Sequence, residues 1–192
     1  MPLKTKTTYD IQPAFLFSAL LTIILLPIQW VLAWMIATSI HELSHIAWMR
    51  MLNVRILHVQ LNYMGATIVT EPMHPAKDLC SALAGPVGGC TLLLFSNIWP
   101  ELAICAMVQS IFNILPFYPL DGGRVLYNLF ILLLGRSGAR RTTLILDIVA
   151  LTVLTILSIG LQLLYHCGTI LGFLTLLLFF QYRKAKYALQ SI

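Results

Sequence analysis

Long apolar runs broken by short polar clusters set the reading frame of this chain. No charged side chain occurs between residues 11 and 40. One helix over that run would reach about 45 Å, half as long again as the ~30 Å hydrocarbon core of a bilayer. Pro27, followed by Gln29 and Trp30, is the natural break, so the pattern predicts a short first span over 14–26 and a second over 28–49. After Arg50 the periodicity changes. Val54, Ile56, Val59, Leu61, Tyr63, Ala66, Ile68 and Val69, with Asn62 and Gly65 as turn formers, read as one or two strands ending at Glu71 and Pro72.

A third span is expected over 79–99, with Ala82, Gly85, Gly88 and Gly89 around Pro86 as a small-residue surface for close helix packing. A fourth is expected over 102–120. Its end, from Asn113 through Pro116 and Pro119 to Asp121, Gly122 and Gly123, cannot stay regular helix. Broken backbone at membrane depth is tolerated where it lines a cavity, which puts Asp121 in one. Residues 125–134 are apolar but too few to cross, and are expected to lie along the interface or re-enter. A fifth span over 143–164 and, after a turn at Tyr165, His166, Cys167 and Gly168, a sixth over 169–181 complete the pattern. The fold class this predicts is an all-α polytopic membrane protein, with about six transmembrane helices and a short membrane-associated β segment after the second.

Composition agrees. Of 192 residues, 59% are hydrophobic and 10% charged, against about 25% charged in a typical soluble domain. No polar stretch is long enough to fold separately, so 1–192 is expected to be a single intramembrane domain. The net charge of +5 comes from twelve Lys and Arg in small scattered groups, not in a stripe, so nucleic acid is not expected as a partner. The basic residues mark topology instead. With six spans and both termini in the cytoplasm, Lys4, Lys6, Arg50, Arg55, Lys77, Arg124, Arg136, Arg140, Arg141, Arg183, Lys184 and Lys186 all fall on the cytoplasmic side. Lys4 and Lys6 before an apolar run resemble the start of a signal peptide, but no small-residue cleavage site follows, and the segment is expected to stay attached. Cys80, Cys90, Cys105 and Cys167 form no CxxC pair and are expected neither to bind metal nor to form a disulfide.

Against this apolar background stands His41-Glu42-Leu43-Ser44-His45. On a helix the i, i+4 histidines share a face and can bind one metal ion, while Glu42, one position round, can deprotonate a water. Ionisable groups at such positions are costly in lipid and mark function. A catalytic zinc takes three protein ligands and leaves one position open. Asp121 is the candidate third, because His45 lies five residues before Arg50 and Asp121 three before Arg124, a similar depth in the cytoplasmic half. Two nitrogens and one carboxylate suit zinc; calcium or magnesium would want more oxygens, and iron shares the donor set. The chemistry this implies is peptide hydrolysis with Glu42 as base and as proton donor to the leaving amine. Asn113 is placed either to hydrogen-bond substrate backbone or the oxyanion, or to bond a neighbouring helix. The strand segment is either an edge for an extended peptide or a plain connector. His58 and His74 are expected at the surface, and Asp147 and Glu101 at span ends without a functional role. A different class, a membrane metal transporter with His41, His45 and Asp121 as transit site, has no need of Glu42, and the inverted repeats it would show are not found.

The HELSH segment together with Asn113-x-x-Pro116-x-x-Pro119-Leu120-Asp121-Gly122-Gly123 resembles the site-2 protease family (M50 peptidases) of intramembrane zinc metalloproteases. The branch containing the stage IV sporulation protease is most similar, through the short first span, the strand connector ending in Gly65-Ala66-Thr67-Ile68-Val69, and Ala84-Gly85-Pro86. The resemblance implies that His41, His45 and Asp121 bind one zinc, that Glu42 is the catalytic base and that Asn113 helps to seat substrate. It also implies a prokaryotic cell membrane and a membrane-associated substrate such as a sigma-factor precursor or anti-sigma factor. The PDZ and CBS domains of many relatives are missing from this sequence, which leaves recognition to the bundle, the strands or a regulatory membrane partner.

Overall fold

The computed structural model describes residues 8–62, 65–118, 120–165 and 168–190. Lys4, Lys6, Tyr63, Pro119, His166 and Cys167, used in reading the sequence, lie outside the described residues. The elements run β1 (Thr8–Ile11), α1 (Pro13–Leu25), α2 (Ile28–Met51), β2 (Ile56–Asn62), β3 (Gly65–Thr70), α3 (Pro75–Thr91), a 3-10 turn (Leu92–Phe95), α4 (Pro100–Asn113), α5 (Asp121–Tyr165) and α6 (Thr169–Gln190). The chain is thus mostly helical with one small sheet, and it falls into two compact units, Met1–Asn113 and Ile114–Ile192.

In the first unit, proline punctuates the helices. Pro13 and Pro75 occupy first-turn positions, where a missing N–H costs nothing, and Pro27 precedes α2. α2 closes with Asn53 at φ 55, while Asn53 N–H donates to Arg50 O and Val54 N–H to Met49 O. That pairing of bonds is a Schellman cap, in which asparagine takes the left-handed position. The cap turns the chain out of the helix into β2.

The sheet has the order β1-β2-β3, with β1 parallel and β3 antiparallel to β2. β1 is an addition to what the apolar pattern predicts, because four residues ahead of the first helix carry too little alternation to be read as a strand. Its pairing is reinforced by side chains: Thr8 bonds His58 at 2.8 Å, and Gln60 Nε2 donates to Asp10 at 2.9 Å. Leu61 O accepts from Gln12 N–H, so Leu61, opposite Ala66, turns its backbone groups towards β1. The Ala66 N–H accordingly points away from β2.

α2, α3 and α4 pack on small residues. Ala33 and Ala37 of α2 meet Leu102, Cys105 and Ala106 of α4, with Leu92, Ile40 and Trp99 alongside. The buried residues of α2 include Ala33, Ala37, His41, His45 and Met49, a row with a step of four. The two histidines therefore continue the same inward stripe that the alanines begin. α3 contributes Ser81, Ala82, Gly85 and Gly89 as its buried face.

The second unit holds α5 and α6. α5 breaks at Gly135, whose φ of 73 lies where only glycine is comfortable. Gly168 and Gly172 pack against Ser158, whose hydroxyl donates to Gly168 O at 2.9 Å.

Several helix limits differ from the expected spans: α3 runs Pro75–Thr91 and α6 Thr169–Gln190, against 79–99 and 169–181, and two differences touch the polar motif. The fourth apolar segment is helical only to Asn113, not to 120, and residues 125–134 lie in a helical stretch that starts at Asp121 and is broken at Gly135. The physical reason is the same at both: Pro116 ends one helix, and an aspartate followed by two glycines begins the next, so the polar motif is a junction and not a helix tail. Pro75–Phe95 and Asp121–Tyr165 are long and apolar enough to cross a membrane, and Phe15–Leu25 and Leu171–Phe180 are shorter apolar helices. Large side chains such as Phe17, Ile24, Leu163 and Leu164 stand about two-thirds or more exposed, a surface suited to lipid and not to water.

Candidate metal centre

The helical step puts His41 and His45 one turn apart on the buried stripe of α2, at 2% and 4% exposure. Their rings meet edge to face, at 82°, with Nε2 atoms 3.3 Å apart. The His45 Nδ1–H donates to the Ser81 carbonyl at 2.7 Å. That bond fixes the tautomer, leaving the His45 Nε2 lone pair directed inwards, the arrangement that second-shell carbonyls impose on metal-ligating histidines.

Opposite the two rings lies Gly85. A Cβ there would collide with His45 Nε2 and stand 2.8 Å from His41 Nε2. The space in front of both nitrogens thus exists because this residue has no side chain. Gly88 and Gly89 allow close approach of a plainer kind, to the Ser44 and Ser110 hydroxyls. Whether the pair fits a zinc ion is a question of spacing. Zn–N bonds of about 2.0–2.1 Å at a tetrahedral angle hold two nitrogens about 3.3–3.4 Å apart, and the observed separation is 3.3 Å. The pair fits.

Glu42, half-buried beside the first histidine, accepts the outward Ala66 N–H of β3 at 3.3 Å. The carboxylate is therefore aimed by the edge strand. Asn113, the last residue of α4, donates its amide to Gln109 O of the same helix at 3.1 Å.

In the second unit Asp121 opens α5 and is 7% exposed. A carboxylate in a helix's first turn is favoured by the macrodipole, and Arg124 Nη1 approaches Asp121 Oδ1 at 3.7 Å. The preceding backbone is tightly wound: Phe117 N–H donates to Leu115 O at 2.7 Å and Leu120 N–H to Phe117 O at 2.8 Å. It also lies flat on the start of α5, where a Cβ at Gly122 would strike Ile114 O and one at Gly123 the Phe117 carbonyl. Both glycines are steric requirements of the junction. Asp147, expected at a span end with no role, is 1% exposed and accepts the Tyr118 N–H at 3.0 Å.

The sequence singled out His41, Glu42, His45 and Asp121, took Gly85 for packing and Asp147 for a span-end charge, and gave no sign of the Ser81 carbonyl or the Ala66 amide. His58 is partly buried and bonds Thr8 in the sheet. His74 is exposed and caps α3 by accepting the Ala76 N–H at 3.2 Å.

No protein-family model matches the chain, and no curated protein matches it in sequence. Among solved structures, the chain is similar to the site-2 protease from Methanocaldococcus jannaschii, with a TM-score of 0.68 over 97% of this chain and 93% of that one. At 18% identity the likeness is one of fold.

Proposed function

We propose that this protein is an intramembrane zinc metalloprotease, in which His41, His45 and Asp121 hold one zinc ion and Glu42 is the catalytic acid–base. The observation that carries the reading is the buried His41–His45 pair, its Nε2 atoms at zinc-ligand spacing and the space before them kept open by Gly85. Asp121 supports it as the third ligand through its burial at a helix start within the Asp-Gly-Gly junction. Likeness of fold to a site-2 protease points the same way.

The chemistry that zinc supplies when bound is Lewis acidity towards a peptide carbonyl and acidification of a water. The chain's own groups do the rest. Glu42 takes a proton from the attacking water and delivers it to the departing amine nitrogen, which breaks the C–N bond. Its tie to the Ala66 amide holds the carboxylate beside His41 and spares it a rotamer search. β3 is an edge strand, and an extended substrate is proposed to pair along it near Ala66 and Ile68, feeding its backbone past Glu42.

The wider reading comes with this proposal: about six spans with both termini cytoplasmic in a prokaryotic cell membrane, and a membrane-associated regulator such as a sigma-factor precursor or anti-sigma factor as substrate. The apolar exposed surface and the distribution of Lys and Arg support the first part. The test is co-expression with candidate single-span regulators, comparing wild type with Glu42→Gln. A cleavage product found only with wild type, from protein that carries one zinc, is the expected result. Wild type purified without zinc, or Glu42→Gln cleaving normally, overturns the reading.

A further inference from the structure

Asp147 sits far along α5 from Asp121, yet it is almost fully buried and reaches back to the junction that Asp121 ends. A carboxyl group buried in an apolar bundle is costly to keep, and its contact here is with a single backbone amide of the loop, that of Tyr118, three residues before Asp121. The loop's internal turns use the N–H groups of Phe117 and Leu120, and Pro116 has none to give. The Tyr118 amide is the donor through which the middle of the loop is tied to a regular helix. Beside it, Gly122 and Gly123 permit flat contacts with the Ile114 and Phe117 carbonyls, and Arg124 N–H donates to Leu120 O at 2.9 Å.

We propose that Asp147 is a positioning residue for Asp121: by accepting the Tyr118 N–H it holds the backbone that leads into α5 in the one path that delivers the Asp121 carboxylate in ligand orientation. The inference rests on the zinc reading for its consequence, though not for the bond itself. It assigns a role to a residue whose place in the sequence reads only as a span-end charge.

The test uses full-length protein in lipid nanodiscs, with Asp147→Asn, which keeps an acceptor oxygen, Asp147→Leu, which removes it, and Asp121→Ala. Two measurements are made: hydrogen exchange of the peptide containing Tyr118, recorded without added metal, and zinc retention against a competing chelator. Asp147→Leu is expected to speed exchange at the loop at least tenfold with α2–α4 unchanged, and to weaken zinc retention roughly 10- to 100-fold, the usual effect of losing an outer-shell partner. Asp147→Asn is expected to match wild type in both. If Asp147→Leu does not accumulate as folded protein, Tyr118→Pro deletes the donor of the same bond and is expected to weaken zinc retention to the same degree. Wild-type exchange and zinc retention in Asp147→Leu, or Asp147→Asn as impaired as Asp147→Leu, overturns the proposal. Zinc retained by Asp121→Ala overturns the ligand assignment instead, and the metal-free exchange comparison still decides whether Asp147 holds the loop.

Discussion

The histidine side of the proposed site and its carboxylate side are built by opposite means. His41 and His45 are successive members of a four-residue step on a regular helix, so their spacing is guaranteed by the α-helix itself and refined by one glycine on α3. Asp121 follows backbone that is not regular helix, in which two turns, two closely packed glycines and a bond from the Tyr118 N–H to buried Asp147 are seen. Regular structure places ligands through local geometry; irregular structure places them through contacts with residues remote in sequence.

The sharpest break of that comparison is at the chemistry both sides are proposed to serve. Glu42→Gln is expected to lower turnover by roughly 10²–10⁴-fold, the usual contribution of a general acid–base, while zinc content measured by atomic emission stays at wild type. Loss of zinc in this variant would mean that Glu42 acts on the metal site and not on the proton.

On the histidine side, Gly85→Val is expected to abolish zinc retention, since its Cβ would occupy the space before both Nε2 atoms. Val87→Ala, an exposed position two residues along α3, is expected to leave it unchanged, as a chelator titration of both variants would show. Zinc retained by Gly85→Val would show that α3 can retreat and that the histidine side is less rigid than its helices imply.

On the carboxylate side, Gly122→Ala drives a methyl group into the Ile114 and Leu115 carbonyls and is expected to cost about 1–3 kcal/mol of stability, the range for overpacking, as a lowered thermal midpoint. Smallest of all is His74→Ala. It removes the α3 cap at about 0.5–2 kcal/mol, with zinc content unaffected, because the cap lies eleven residues before Gly85.

Much of this was legible before any coordinates. Pro27 as the break between α1 and α2, the turn to strands after Arg50 and the loss of helix after Asn113 all follow from local rules about proline, β-branching and glycine. β1 was not legible: a four-residue strand has no period to detect, and its existence depends on β2 being there to receive it. Where the next helix begins was less legible: that Asp121 opens α5 depends on how the junction packs on Gly122 and Gly123.

For the site the division is similar. The sequence by itself determined that two histidines and a carboxylate share a helix in an apolar chain, since a motif of five residues needs only the helical repeat to become geometry. What only the tertiary structure decided is which groups serve those residues. The Ser81 carbonyl selects the His45 tautomer, Gly85 keeps the space open, the Ala66 amide aims Glu42, and Asp147 ties the backbone before Asp121. A backbone carbonyl and an amide leave no mark in residue type, a glycine does not say which neighbour needs its space, and a buried aspartate looks like any other charge until the chain has folded around it.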